Sequence, residues 1–170
     1  MTRDQKTVAT GAVSGIVSMA VAMWLLSSLL PAPAGMESLA ERLAYATRWL
    51  AFAALPLFAM VAAVGNARFA SGAIDPTLGN EDCTMIVNGR VADNTTQQLL
   101  LFACGLLGLA ANLEPEWMVV IRVAAITFVA CRIAFWIGYR IHPLHRAFGF
   151  SSTVYLNLGL LLAAVWLAVD

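Results

Sequence analysis

A polar stretch between Asn88 and Gln98 contains the first side chains whose types and spacing suit ligand binding. If a helix has begun by Arg90, then Arg90, Asn94 and Gln97 share one helical face, because they are spaced at i, i+4 and i+7. That face has one fixed cation and two amides, and an apolar run follows directly. Polar groups at membrane depth face a bundle interior or a water-filled cavity, so the pattern predicts a polar ligand held between helices. The alternative is an interfacial helix start that meets water and lipid headgroups.

A second set of candidate side chains lies in a later apolar segment. Arg132, Phe135 and Tyr139 share one helical face, and Arg146 follows shortly after the segment. A cation at membrane depth costs several kcal/mol unless it is paired or hydrated. Arg132 therefore predicts either a ligand contact or an ion pair, for which Asp93 is the obvious partner. Tyr139 is alternatively an aromatic residue of the membrane–water interface.

Composition assigns the chain to the membrane proteins. Of its 170 residues, 61% are hydrophobic and 12% are charged, which is too apolar for a soluble domain of one-domain length. Ten acidic and ten basic residues cancel, so no basic patch predicts nucleic-acid binding. The three cysteines lie far apart without a C-x-x-C pair or nearby histidines, and we predict no metal site.

Five apolar segments predict an all-α transmembrane bundle. They cover residues 8–30, 43–69, 90–113 with its polar start, 117–140 and 150–169. Residues 70–89 contain several turn-forming residues and predict the one sizeable polar loop. The first segment is too long for a signal peptide and predicts a retained helix, in which Gly11 and Gly15 permit close helix contact.

Loop charges predict the orientation in the membrane. If five helices alternate, the basic residues Arg3, Lys6, Arg68, Arg90, Arg140 and Arg146 lie at one end, and the acidic residues Glu37, Glu41, Glu114, Glu116 and Asp170 lie at the other. The positive-inside rule then predicts a cytoplasmic N-terminus and a C-terminus outside, in a bacterial-type inner membrane or another cell membrane.

Three motifs together resemble a known family. They are Arg90-x-x-x-Asn94-x-x-Gln97, Arg132-x-x-Phe135-x-x-Gly138-Tyr139 and Pro143-x-x-Arg146-Ala147-x-Gly149. Their order and their position before apolar helices resemble the membrane-associated proteins in eicosanoid and glutathione metabolism (MAPEG), which include microsomal glutathione transferases, leukotriene-C synthase and microsomal prostaglandin E synthase. The resemblance covers about residues 43–169. It implies a division into an N-terminal helix and loop (1–42) and a four-helix MAPEG-like core (43–170).

The resemblance also implies a homotrimer that binds glutathione as co-substrate between neighbouring subunits, towards the cytoplasm. By motif, the implied glutathione-binding residues are Arg68, Arg90, Asn94, Gln97, Arg132 and Tyr139, and the implied catalytic residues are Arg146 and Tyr139. An arginine beside the glutathione thiol favours the thiolate, because guanidinium keeps its proton at neutral pH. A lipophilic co-substrate would arrive from the bilayer.

The chain departs from the family pattern at three positions. Gln97 replaces the usual glutamate and cannot neutralise a ligand ammonium, Asp93 stands where several members have a basic residue, and Phe135 stands where members often have His or Tyr. Two main hypotheses follow. The first is a glutathione-dependent transferase or peroxidase acting on lipophilic electrophiles; the second is a non-catalytic member whose N-terminal helix docks onto other membrane subunits. A small channel or transporter is a third hypothesis.

Overall fold

A computed structural model describes residues 1–169; Asp170, one of the acidic residues used to predict the orientation, lies outside them. The helices are α1 (Arg3–Leu29), α2 (Leu39–Phe69), α3 (Cys83–Asn112), α4 (Val119–Ile141) and α5 (Ala147–Val169). Within residues 1–169 there are no strands, and short 3₁₀ turns occur in two of the connections. The predicted all-α bundle with an added N-terminal helix is confirmed.

Hydrogen-bonded caps determine where the first two helices begin. Thr2 and Ser38 precede α1 and α2, and each side chain accepts a hydrogen bond from the backbone N–H three residues later. The side chain at that later position bonds back to the cap residue, which satisfies donors that a helix start leaves unpaired. The polar first turns therefore join the helices although they lie outside the apolar segments.

Helix α3 begins earlier than the sequence indicated. The Asp82 side chain caps it by accepting a hydrogen bond from the backbone N–H of Met85, at 2.7 Å. The predicted loop of residues 70–89 is therefore wrong over residues 83–89, which are helical. Gly89 lies inside this helix, where a glycine costs only about 1 kcal/mol, which capping and the burial of Met85 can offset.

Helix α4 lies at the centre of the bundle and contacts the other four helices. Helix α3 packs against α2, α5 and α4, while α1 packs along α5 and α4 on the outside. A Cβ added to Gly15 of α1 would clash with the backbone oxygen of Phe148 and lie 2.7 Å from Oγ of Ser152. One added to Gly11 would lie 3.3 Å from Cβ of Ala147. The close contact predicted for Gly11 and Gly15 is confirmed, and its partner is the start of α5.

The bundle has an apolar core, buries several polar side chains within it and exposes many large apolar side chains. Exposed side chains such as Trp24, Phe58 and Leu162 suit contact with lipid. Four helical segments within residues 1–169 are long and apolar enough to span a membrane: Arg3–Leu29, Leu39–Phe69, Pro115–Ile141 and Ala147–Val169. Helix α3 is less apolar because it has polar residues, of which Asn88, Thr95 and Gln98 are buried inside the bundle. The chain is an integral membrane protein.

Candidate functional site

A cavity of about 630 Å³, here called the main cavity, lies where α4 ends and α5 begins. Its polar lining consists of Arg90 and Asn94 from α3, Tyr139 from α4, Arg146 from the α4–α5 turn and Ser151 from α5. The apolar lining is Val8, Phe135, Pro143, Leu144, Ala147 and Phe150. The structure thus brings four of the predicted site residues, Arg90, Asn94, Tyr139 and Arg146, around one cavity.

Two glycines allow the α4–α5 turn to fold closely over the end of α4. A Cβ on Gly138 would lie 2.8 Å from the backbone oxygen of His145, and one on Gly149 would lie 2.6 Å from the backbone oxygen of Cys131. Any larger residue at either position would push the turn and the start of α5 away from α4. The close approach brings Arg146 back beside Tyr139, from which seven residues separate it in sequence.

Tyr139 and Arg146 form a hydrogen-bonded pair at the main cavity. The Arg146 Nη1 group donates to the Tyr139 hydroxyl oxygen at 3.0 Å, and the guanidinium carbon lies 4.9 Å from the centre of the tyrosine ring. The hydroxyl accepts from the arginine, so its own hydrogen remains available to a ligand. Tyr139 is buried whereas Arg146 is exposed, which leaves the cation open to the cavity and to solvent.

Arg132 is fully buried behind the main cavity. Its Nη2 group donates to Oδ1 of Asn94 at 3.0 Å and to the hydroxyl of Thr95 at 2.8 Å, and Nη1 lies 3.5 Å from the hydroxyl of Thr153. The guanidinium carbon lies 4.1 Å from the centre of the Phe135 ring. Its neighbours are thus neutral oxygens and an aromatic face.

Of the two alternatives for Arg132, the ion pair with Asp93 does not form. Within residues 1–169 the single ion pair joins Arg68 and Glu81. Asp93 is exposed and lines a different cavity. It directly precedes Asn94 on the helix, so the two side chains point about 100° apart and cannot both face the bundle interior. The bundle interior therefore meets Asn94 and Thr95 instead.

Arg132 determines the orientation of the Asn94 amide. A guanidinium can only donate hydrogen bonds, so the amide oxygen of Asn94 must face it. The NH₂ group of Asn94 then points away from Arg132 and has no acceptor within residues 1–169, while Asn94 itself lines the main cavity. Arg132 consequently presents Asn94 to the cavity as a hydrogen-bond donor.

Arg90 lies between two cavities. Besides the main cavity it lines a second one of about 540 Å³ between α2 and the start of α3, here called the side cavity. Asp93, Arg68 and Glu81 also line the side cavity, and Nε of Arg68 donates to Oε1 of Glu81 at 3.1 Å. Arg90 is exposed and forms no ion pair with any residue in the described range.

The remaining predicted site residues lie outside the main cavity. Arg68 lines the side cavity, where its guanidinium forms an ion pair with Glu81. Gln97 is exposed and lines neither cavity, because at its depth the inward positions of α3 are Thr95 and Gln98. The Gln98 side-chain oxygen accepts from Asn157 of α5 at 2.9 Å.

Ser151 and Val8 line the main cavity but were not predicted from the sequence. Ser151 lies on α5 five residues after Arg146, and the continuation of the arginine motif into α5 was the available signal. Val8 comes from α1, and no local pattern distinguishes it from the other apolar residues of that helix.

The lining of the main cavity is complementary to an anion. Arg90 and Arg146 contribute two guanidinium groups, and Asn94 and Tyr139 contribute oriented neutral donors. No Asp or Glu of the described chain lines it. Guanidinium groups bind carboxylates through two parallel hydrogen bonds and also favour the deprotonated form of a nearby thiol.

The fold and the site define an integral membrane helical bundle with a cationic cavity at one end. The model of the MAPEG family matches residues 46–166, which span most of α2 through α5 and more than two thirds of the chain. The chain therefore belongs to the MAPEG family, as its motifs indicated, and α1 lies outside the matched range. Searches of curated proteins and of solved structures gave no match.

Proposed function

We propose that the main cavity binds glutathione and that the protein is a membrane-embedded glutathione-dependent transferase or peroxidase acting on lipophilic electrophiles. The supporting observation is the set of four oriented donors, two of them cationic, around a cavity without a carboxylate. Glutathione has two carboxylates and a thiol, and membership of the MAPEG family favours it over other anionic thiols.

Arg146 and Tyr139 are the proposed catalytic residues. A thiol with a pKa of about 8.5 is mostly protonated at neutral pH, and a neighbouring guanidinium stabilises its thiolate. In a transferase step the thiolate sulfur bonds to an electrophilic carbon and the leaving group departs with its electron pair. In a peroxidase step the thiolate sulfur bonds to the terminal peroxide oxygen, the O–O bond breaks, and the alkoxide leaves with the electron pair and takes up a proton to become the alcohol. The sulfenic acid formed on sulfur then reacts with a second glutathione to give the disulfide and water.

Arg90 and Asn94 are the proposed carboxylate-binding residues, and Arg132 acts through Asn94. Arg68 and Gln97, which the resemblance also implies as ligand contacts, do not line the main cavity, and Gln97 would reach a ligand there only from a neighbouring subunit. Gln97 supports such an assembly, because an exposed amide about 21 Å from the start of α3 is costly in lipid and is satisfied at a subunit contact. We propose a homotrimer with the cationic end towards the cytoplasm.

A non-catalytic role in a larger membrane complex is the second candidate. The phenyl ring of Phe135, stacked on Arg132 where relatives often have a polar ring, supports it because phenyl offers the cavity no hydrogen bond. The N-terminal helix would then serve as the docking element, through exposed side chains such as Val13, Val17 and Trp24.

Binding to glutathione resin and conjugation of chlorodinitrobenzene by the detergent-purified protein test the proposal. We expect retention and conjugation in the unaltered protein, and a loss of affinity of at least about tenfold in Arg90→Ala and in Arg146→Ala. Arg140→Ala is the matched control, because Arg140 is exposed at the same end of the bundle but lines neither cavity. Absence of retention in the unaltered protein would refute the proposal and favour the non-catalytic role.

A further inference from the structure

The side cavity contains two charged side chains of opposite sign that are not paired with each other. Arg90 and Asp93 both line it, three residues apart on α3, and no ion pair joins them. The other two charges of the cavity, Arg68 and Glu81, satisfy each other. Within residues 1–169, Arg90 and Asp93 have no hydrogen-bonded side-chain partner, although both line the same cavity.

An unpaired cation and carboxylate at this spacing are complementary to a zwitterion. The head of an α-amino acid has a carboxylate and an ammonium on one carbon, so it can bind a guanidinium and a carboxylate at the same time. The main cavity offers no carboxylate that could pair with an ammonium, because no Asp or Glu of the described chain lines it. Among these two cavities, a carboxylate that could pair with a ligand ammonium is therefore found in the side cavity.

Arg90 connects the two cavities, since it lines both. Asn94 lies one helical turn further along α3 on the side of the main cavity, and Asp93 lies on the side of the side cavity. A tripeptide is about 10 Å long when extended, which is enough to pass Arg90 and enter both spaces.

We propose that the side cavity is the subsite for the α-amino acid head of the γ-glutamyl residue, with Asp93 binding the ammonium and Arg90 the carboxylate. The thiol and the glycine carboxylate then lie in the main cavity, beside Tyr139 and Arg146. This inference rests on the proposed function and makes Asp93 the residue that selects ligands with a free amino group. The inference thus gives a binding role to Asp93, an acidic residue at a position where several family members have a basic one.

The test compares glutathione with glutarylcysteinylglycine, which is the same molecule without the amino group. Binding of both is measured by calorimetry for the unaltered full-length protein and for Asp93→Asn, Asp93→Glu and Asp4→Asn. We expect the unaltered protein to prefer glutathione by about tenfold, Asp93→Asn to lose that preference while binding the des-amino compound normally, and Asp93→Glu to retain it. Asp4→Asn removes the same charge from α1 and is expected to behave as the unaltered protein.

Equal affinity of the unaltered protein for the two compounds would overturn the inference. Asp93→Asn weakening the binding of both compounds equally would also overturn it, as would a preference for glutathione that Asp93→Asn retains. In these three cases glutathione still binds and the proposed function stands. Failure of the unaltered protein to bind either compound would instead refute the proposed function itself.

Discussion

Arg132 is a buried cation whose hydrogen-bond partners are neutral oxygens. A carboxylate partner would cancel its charge, whereas amide and hydroxyl oxygens only solvate it. The charge of Arg132 therefore adds to those of Arg90 and Arg146, and under the proposed function all three guanidinium groups would attract an anionic ligand into the main cavity. Phe135 and Asn94, which touch Arg132, are the side chains that separate it from that space.

We expect Arg132→Met to weaken glutathione binding about tenfold without unfolding the protein. Thr95 and Thr153 keep their hydrogen bonds to backbone oxygens, at 2.7 Å each, and an apolar side chain of similar size often replaces a buried charge at no cost in stability. Calorimetry and the melting temperature test this. The effects of Arg132→Met and Asn94→Ala should be non-additive, because Arg132 orients Asn94; strictly additive effects would contradict that role.

Arg146→Gln should raise the pKa of the bound glutathione thiol. The guanidinium favours the thiolate, so removing it shifts the pH at which conjugation reaches half its maximum upwards, and the thiol stays protonated over a wider range. The ultraviolet absorbance of the thiolate, followed against pH, measures the shift. Arg140→Gln is the control and should leave the pKa of the bound thiol unchanged. The same thiol pKa in Arg146→Gln as in the unaltered protein, or a larger shift in Arg140→Gln than in Arg146→Gln, would contradict the assignment.

Residue spacing predicted which side chains lie together at the main cavity, but not which of the predicted residues point away from it. The i, i+4 spacing correctly put Arg90 and Asn94 together, and the motif across the turn put Tyr139 with Arg146. Gln97 satisfies the same helical spacing and still points outward, because the direction of a side chain at that depth depends on how α5 packs against α3. Such packing involves contacts between distant residues that a single sequence does not reveal.

At the scale of elements, the caps and the small residues determine the bundle. Asp82 starts α3 early enough for Arg90 and Asn94 to lie two to three turns inside a regular helix. The number and order of the helices were predictable from apolar length, whereas the start of α3 was not, because polar capping residues are also common in loops. The division of the chain at residue 42 stays a prediction, since α1 packs directly on α4 and α5.

Gly15→Ala should destabilise the protein, whereas Gly65→Ala should not. The added methyl group at Gly15 meets the backbone of Phe148, and overpacking of this kind costs about 1–3 kcal/mol. Nothing lies within 4 Å of the equivalent position on Gly65, where alanine favours the helix by about 0.5–1 kcal/mol. Melting temperatures in detergent test the opposite signs; a drop in Gly65→Ala equal to that in Gly15→Ala would show that the α1–α5 contact is not the cause.

At the scale of the whole molecule, the positions of charges and amides bear on assembly and orientation. The six basic residues of the orientation prediction belong to the segments at the end of the bundle that contains both cavities. An exposed amide deep along α3 requires a partner that lipid does not supply. The charge pattern was readable from sequence, whereas the exposure of Gln97 required the packed bundle.

We expect native mass spectrometry in detergent to give three copies per particle. Gln97→Trp should overfill the contact and release monomers, because a tightly packed interface does not accommodate a larger side chain. Leu162→Trp is the matched control on the exposed surface of α5 and should leave the mass unchanged. A monomeric unaltered protein would contradict the homotrimer.

Val8 places the N-terminal helix at the edge of the main cavity, and the glycine contact further along the same helix seals it against α5. Under the proposed function, a lipophilic co-substrate diffusing in the bilayer would be blocked from entering between α1 and α5. The added helix would then restrict the direction of substrate entry without taking part in the chemistry.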